Sequence, residues 1–221
     1  MSDEPAQELI DTLTSDLAPV EPIPSLRRVA GGVIALWLVV AAIGLLLMGV
    51  RPDLLAALSS PFGPGGIFAG LAAAGVGGLV AALALSVPGR ESTARAGFVL
   101  ASVGLAYAAG VGTFLFSQSP SLTTTTDWTA DLRCLGISCA VGLLPAVGVV
   151  LFSARAQVFR PLALVVAAAA GAAALGAVTA QANCPANDAR HLMLGHILAP
   201  GVGALVLSLP LLVALRRSRR S

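Results

Sequence analysis

Residues 29–50 read VAGGVIALWLVVAAIGLLLMGV, an unbroken run without a charged side chain. About 20 such residues in a helix cross the hydrocarbon core of a bilayer, which is roughly 30 Å thick. The whole chain is 57% apolar and 11% charged, with a mean hydropathy of +0.90, whereas soluble domains carry about 25% charged residues. The stretch therefore predicts a membrane span and sets the class of the whole chain.

Five further apolar runs of similar length follow this one and are joined by short connections. The six predicted spans are 29–50, 67–87, 96–116, 134–152, 161–180 and 192–215. Short connections make consecutive spans antiparallel neighbours. The fold class we predict is therefore all-α, an integral membrane bundle of six transmembrane helices preceded by a short cytoplasmic N-terminal amphipathic helix.

The arginines are distributed unequally between the two sides of this topology. If the N-terminus is inside, ten of the thirteen basic residues fall on inner segments and three on outer segments. The ten are Arg27, Arg28, Arg90, Arg95, Arg155, Arg160, Arg216, Arg217, Arg219 and Arg220, and the three are Arg51, Arg133 and Arg190. The positive-inside rule then predicts a multi-pass protein of the bacterial inner membrane with both termini cytoplasmic. The basic C-terminal end is interpreted as a topology anchor, so no direct nucleic-acid contact is expected.

The segment before the first span, residues 1–28, is polar and acidic. Its six acidic residues, of eleven in the chain, are Asp3, Glu4, Glu8, Asp11, Asp16 and Glu21. Residues 5–17 have a helical pattern, because Ala6, Leu9, Ile10, Leu13 and Leu17 fall on one apolar stripe. Three prolines then predict an extended linker. We therefore divide the chain into a cytoplasmic partner-binding tail, 1–28, and a six-span transmembrane domain, 29–221.

A helix of about a dozen residues is not stable alone in water, so something must cover the stripe. A membrane surface is disfavoured, since interfacial helices carry Lys and Arg on the polar face and this face is acidic. A groove on a partner protein with a basic rim fits better. The predicted partner-binding residues are Leu9, Ile10, Asp11, Leu13, Asp16 and Leu17.

Small residues recur at four-residue spacing within the spans and predict close helix–helix contacts, which drive association in lipid. The four rows are Gly70/Ala74/Gly78, Gly104/Ala108/Gly112, Ser138/Gly142/Ala146 and Gly195/Ala199/Gly203. Pro145, Pro200 and Pro210 lie within predicted spans and are each expected to kink a helix.

All three cysteines lie at or near the outer face, which is oxidising for an inner-membrane protein. Cys134 and Cys184 have similar depth on different helices, so they are the natural disulfide pair. The alternative is a metal site formed by Cys134, Cys184, Asp188 and His191, although the spacing matches no standard zinc pattern. Cys139 is interpreted as a small packing residue.

No catalytic motif occurs, so an enzyme is not predicted, and no cofactor is implied. Transporters need ionisable groups near the membrane midplane, and here only His196 could serve. We interpret His196 as a buried histidine hydrogen-bonded to a neighbouring helix. A small polytopic transporter or channel with an incidental tail remains the alternative function.

The chain resembles the NrsF-type anti-sigma factors, negative regulators of an extracytoplasmic-function (ECF) sigma factor. The start LIDTLTSDLAPVEPIPSLRR is similar to the family's short acidic helix, Pro-containing linker and arginine. Cys134-Leu135 opens the fourth span and Cys184-Pro185 closes the fifth, matching two characteristic outer-face cysteines; Cys139 is extra. The family often has aromatic residues after the Cys-Pro loop, whereas this chain has His191, Leu192 and Met193.

The resemblance implies a mechanism for the predicted tail. The tail would hold an ECF sigma factor at the membrane, away from RNA polymerase. Family members are associated with heavy-metal or oxidative stress, so the predicted sensing residues are Cys134 and Cys184. A stress signal at these outer-face cysteines would change the bundle and release the partner.

Overall fold

The computed structural model describes residues 4–15, 25–118, 128–156 and 158–218. Almost all of this described chain is helical. The elements are α1 (Glu4–Ser15), α2 (Leu26–Met48), α3 (Leu54–Leu58), α4 (Pro64–Leu85), α5 (Glu91–Gln118), α6 (Trp128–Ala154), α7 (Pro161–Asn183), α8 (Ala189–His191), a π-helical turn (Leu192–Ile197) and α9 (Ala199–Ser218).

Six helical segments are long and apolar enough to cross a membrane, the last one running from Ala189 to Ser218. The predicted all-α six-span fold is therefore confirmed. Two helices begin well before the predicted apolar spans, since α5 begins at Glu91 rather than residue 96 and α6 at Trp128 rather than residue 134. An apolar run marks only the part of a helix that lies in hydrocarbon, and polar residues continue these helices beyond it.

Helix α7 occupies the centre of the bundle and packs against α2, α4, α6 and α9. It is buried along almost its whole length, whereas α2 buries only Val33 and Ala41. The α7 sequence is dominated by alanine and glycine, so four neighbouring backbones can approach it closely.

The predicted rows of small residues lie where neighbouring helices approach each other most closely. A β-carbon added at Gly70 would lie 2.6 Å from the Gly104 carbonyl oxygen on α5, and one at Gly142 would lie 2.5 Å from the Ala172 oxygen on α7. Gly203 faces Ala173 in the same way. Backbone packing through small residues therefore holds α4 to α5 and both α6 and α9 to α7.

The sixth span is interrupted near Pro200. Helix α8 is followed by the π-helical turn, in which the Leu198 N–H donates to the Met193 carbonyl five residues earlier, at 3.0 Å. Pro200 is the second residue of α9 and has no N–H to donate to the His196 carbonyl one turn before it. The irregular turn thus lies where the proline removes a helical hydrogen bond, while α6 and α9 continue through Pro145 and Pro210.

The bundle has two opposite ends that differ in composition. The cysteine end carries Arg51, Trp128 and Cys184, and the arginine end, opposite to it, carries Arg28 and Arg155. Helix α1 precedes α2 in the chain, and α2 begins at the arginine end.

A buried arginine ties the first connection to the cysteine end of α7. Arg51 is 3% exposed, and its side chain donates two hydrogen bonds of 2.8 Å to the Asp53 carboxylate and one of 2.9 Å to Asn187 Oδ1. The Arg51 backbone N–H donates to the Ala182 carbonyl. The Asn183 side-chain amide donates to the Met48 and Gly49 carbonyls at the end of α2, so α2 and α7 are joined next to Cys184.

Helix α1 is present over Glu4–Ser15, close to the predicted 5–17. The side chains of Leu9, Ile10 and Leu13 are 59%, 51% and 63% exposed. Asp16 and Leu17, which the sequence also assigned to partner binding, lie outside the described residues.

Candidate functional site

Four side chains that could bind a metal ion meet at the cysteine end. Cys134 lies on α6, Cys184 directly follows α7, His191 ends α8 and His196 lies in the π-helical turn. One ligand atom from each residue lies within 4.8 Å of the others, and all four residues are buried. The Cys184 Sγ is 3.2 Å from His191 Nε2. We call these four residues the Cys/His cluster.

An acidic residue of α6 orients the His191 ring. His191 Nδ1 lies 2.6 Å from Asp131 Oδ1, and Asp131 is 2% exposed. Asp131 and Cys134 are three residues apart and therefore project from the same side of α6. With Nδ1 held by the carboxylate, Nε2 points to the sulfur of Cys184.

The Asp131 carboxylate also has a cationic neighbour. Arg190 Nη2 lies 3.6 Å from Asp131 Oδ2, and the Arg190 guanidinium carbon lies 4.3 Å from the centre of the Trp128 ring. A buried carboxylate is costly without opposite charge or hydrogen bonds. Arg190 and His191 therefore stabilise Asp131, and Trp128 helps to position the arginine.

The π-helical turn brings His196 beside His191. Residues five apart on an α-helix are separated by about 140° around the axis, so the two rings would face different directions. The wider turn aligns residues five apart, and here the two ring centres are 5.2 Å apart. Gly195 permits the approach, because a β-carbon there would lie 3.2 Å from His191 Cε1 and 3.3 Å from Cys134 Cβ.

The two cysteines differ in their electrostatic surroundings, and both are free thiols. Hydrogen bonding by the Cys134 thiol, and then by the His191 ring, holds the pKa of Cys184 below its ordinary value, although burial acts in the opposite direction. Cys184 is therefore the sulfur that more readily carries negative charge, as a nucleophile or a metal ligand requires.

The structure brings together three of the four residues that the sequence offered as metal ligands. Cys134, Cys184 and His191 lie in the cluster, but Asp188 does not. The Asp188 Oδ1 instead accepts a 2.9 Å hydrogen bond from the His191 backbone N–H and so caps α8. Cys139, set aside as a packing residue, also lies outside the cluster and is partly exposed.

Two residues of the site were not assigned to it from the sequence. Asp131 was placed in a loop, because the apolar run begins only at Cys134. His196 was expected to hydrogen-bond to a neighbouring helix; it is fully buried, but neither ring nitrogen has a hydrogen-bond partner in the described part of the chain. The signal for Asp131 was its spacing of three from Cys134, whereas the π-helical turn left no signal for His196.

The family model described as NrsF, negative regulator of sigma F, matches residues 13–217. No curated protein and no solved structure matches the chain. The matched range contains the first five spans, all of the sixth but its last residue and the complete Cys/His cluster, and it begins at Leu13, within α1. A match over nearly the whole length is decisive, and the chain belongs to the NrsF family of negative regulators of a sigma factor.

Proposed function

We propose that the chain is an inner-membrane anti-sigma factor that sequesters an ECF sigma factor through its N-terminal tail. Membership of a family of negative regulators supports a sigma factor as the partner. The ECF class comes from the sequence resemblance. The arginine distribution supports a cytoplasmic tail, where a sigma factor is found.

One observation carries the binding mode. Helix α1 keeps Leu9, Ile10 and Leu13 more than half exposed, although apolar side chains on a short helix gain stability only when they are covered. A sigma-factor groove that received this face would bury them and order the helix. Glu8 and Asp11 on the same helix would meet basic residues at the rim of such a groove.

The release signal is proposed to act at the other end of the molecule. Cys134 and Cys184 lie at the cysteine end, which the arginine distribution assigns to the periplasm. A metal or an oxidant that reached the two sulfurs would change how the ends of α6 and α7 sit together. Helix α2, which follows the tail, packs against both helices and would relay the change.

The alternative of a transporter or channel receives no support from the family, whose members are named as negative regulators. The direct test is capture. The full chain with a C-terminal tag is co-expressed with each ECF sigma factor of the source bacterium in turn. It is then purified in detergent, and the sigma factor that co-purifies is quantified.

We expect one sigma factor to be retained by the full chain and lost from a variant lacking residues 1–24. A variant with Gln7→Ala and Thr12→Ala, two exposed polar positions of the same helix, is the matched control and should retain it. Failure of the full chain to retain any ECF sigma factor, or equal retention by the truncated chain, would contradict the proposal.

A further inference from the structure

The Cys/His cluster has the composition of a metal-binding site. Two thiols and two imidazoles from four consecutive structural elements converge in a volume that excludes solvent, since both histidines are fully buried and both cysteines nearly so. Thiolate and imidazole are the ligands of zinc and of softer divalent cations, whereas magnesium and calcium prefer oxygen.

The distances fit a tetrahedral ion after small side-chain movements. Bonds of about 2.3 Å to sulfur and 2.0–2.1 Å to nitrogen place tetrahedral ligand atoms about 3.3–3.8 Å apart. The cluster atoms lie within 4.8 Å of one another, and the Cys184 Sγ to His191 Nε2 distance is already 3.2 Å. Contraction by about 1 Å is within the reach of side-chain rotation.

The His191 ring is oriented by a carboxylate, as metal-binding histidines commonly are in other proteins. A ligating imidazole usually donates its second ring N–H to a carboxylate or a carbonyl, which fixes the ring and the tautomer. Asp131 is placed to accept this hydrogen bond at 2.6 Å from Nδ1, leaving Nε2 directed at Cys184. Asp131 is thus a positioning residue, and it does not contact the ion.

His196 supplies the independent observation. The ring is fully buried near the Cys184 thiol, and neither nitrogen makes a well-aligned hydrogen bond with the described residues. A buried polar atom without a partner is destabilising, and such groups are uncommon in folded proteins. A bound cation would use one of these nitrogens and so account for the placement of the ring.

The charges also balance. Binding of a divalent cation to two thiolates and two neutral imidazoles gives a complex without net charge, and the two thiol protons leave to solvent as the ion enters. Asp131 keeps its own cationic neighbour, Arg190. The buried site therefore needs no further counter-ion.

We propose that Cys134 Sγ, Cys184 Sγ, His191 Nε2 and one ring nitrogen of His196 bind a single zinc-like or softer divalent cation in tetrahedral geometry. This deepens the proposed function by naming the ligand of its sensing site, and its regulatory meaning rests on that function. No disulfide is needed for the site to act.

The test is a cobalt titration of the full chain in detergent, because Co²⁺ replaces zinc and reports both its geometry and its sulfur ligands by absorption. We expect one Co²⁺ per chain, intense tetrahedral bands, sulfur-to-cobalt charge transfer, and displacement of the bands by Zn²⁺ or Cd²⁺. Cys134→Ser and Cys184→Ser should each weaken the charge-transfer band and lower the affinity. Asp131→Asn should keep the bands while lowering affinity by about 10–100-fold.

His196→Asn decides the fourth ligand, and Cys139→Ser and Asp188→Asn are the matched controls that should titrate as the parent does. A variant counts only if its size-exclusion profile and helical circular dichroism match the parent; if His196→Asn fails this check, His196→Gln replaces it. Absence of tetrahedral bands in the parent, or an unchanged spectrum and affinity in the folded His196 variant, overturns the four-ligand site. Sigma-factor capture is measured on the same preparations, so failure of cobalt binding with capture intact is distinguished from failure of the proposed function.

Discussion

At the scale of single residues, Asp131 determines which nitrogen of His191 faces the sulfurs. Its carboxylate holds Nδ1 at 2.6 Å, and Nε2 lies 3.2 Å from Cys184. The two cysteines and the two histidines meet because α6, the end of α7, α8 and the π-helical turn converge at one point. Changes to one member should therefore alter the response of the whole site.

The two cysteines of the cluster should differ in phenotype from the third. Cys134→Ser and Cys184→Ser should leave the protein in the membrane and the sigma factor bound, yet abolish or lock the response to cadmium or oxidant. Cys139→Ser should respond as the parent does, because Cys139 lies outside the cluster. A sigma-dependent reporter measures this. If both cluster variants respond normally, the cysteines are structural at most. The sensing site should then be sought in the Thr-rich segment 123–126.

How much of the site could be predicted differs from residue to residue. Cys134, Cys184 and His191 could be found from the sequence, because ends of predicted spans have a known depth. Asp188, also offered as a metal ligand, lies outside the cluster, because its side chain caps α8. The position of His196 in the cluster could not be predicted from the sequence. In a regular α-helix residue 196 faces away from residue 191, and no sequence propensity predicts a π-helical turn.

Among the helices, close backbone contact drives association in the membrane, as burial of apolar side chains does in water. Gly176 of α7 lies against the backbone of Ser138 on α6, where an added β-carbon would overlap the Ser138 carbonyl oxygen. This contact is about one turn below Cys134 and links the two helices that carry the cysteines. The six spans could be predicted from hydropathy, but which faces meet required the structure.

Gly176→Ala should therefore separate α6 from α7 and lower stability by about 1–3 kcal/mol, the usual cost of overpacking. Gly136→Ala is the matched control on α6, because a β-carbon there meets nothing within 4 Å. Alanine is the better helix former, so this control should be neutral or slightly stabilising. Thermal unfolding in detergent compares the two. Equal melting temperatures for both variants would contradict the packing described here.

The tail helix can be tested by the chemistry of its two faces. Replacing Leu9, Ile10 and Leu13 with Ser should release the sigma factor while the bundle stays in the membrane, since these exposed side chains are the ones a groove would bury. Charge reversal at Asp11 and Asp16 should weaken binding less, and the loss should depend on salt. Retention of the sigma factor by the triple Ser variant, measured by co-purification, would remove α1 as the binding element.

At the scale of the whole molecule, the two proposed activities lie at opposite ends. The Cys/His cluster is at the cysteine end, and the tail precedes α2 at the arginine end. Helix α2 is the least buried of the spans, and its Trp37 Nε1 donates a 3.2 Å hydrogen bond to the Leu175 carbonyl of α7. A lightly packed helix attached to the central one is suited to shift when the ends of α6 and α7 move.

The proposed signalling requires the cysteine end to face the periplasm and the tail to face the cytoplasm. A reporter fused after Arg90 or Arg155 should be active in the cytoplasm, and one inserted within residues 123–126 should be active in the periplasm, because arginines are retained inside. Paired reporters that function on only one side of the membrane read this directly. The opposite pattern would put the cluster in the cytoplasm and reverse the proposed direction of signalling.

We propose that the cysteine end controls sigma-factor capture by the tail. The most direct measurement is the affinity of the captured sigma factor for the full chain in lipid nanodiscs, without and with Cd²⁺, for the parent and for Cys184→Ser. We predict that Cd²⁺ lowers the affinity of the parent at least about tenfold, a coupling of roughly 1.4 kcal/mol, and leaves the variant unchanged. By linkage, the sigma factor should lower the Cd²⁺ affinity of the parent by the same factor. An unchanged sigma-factor affinity in a parent that has bound Cd²⁺ would contradict the claim.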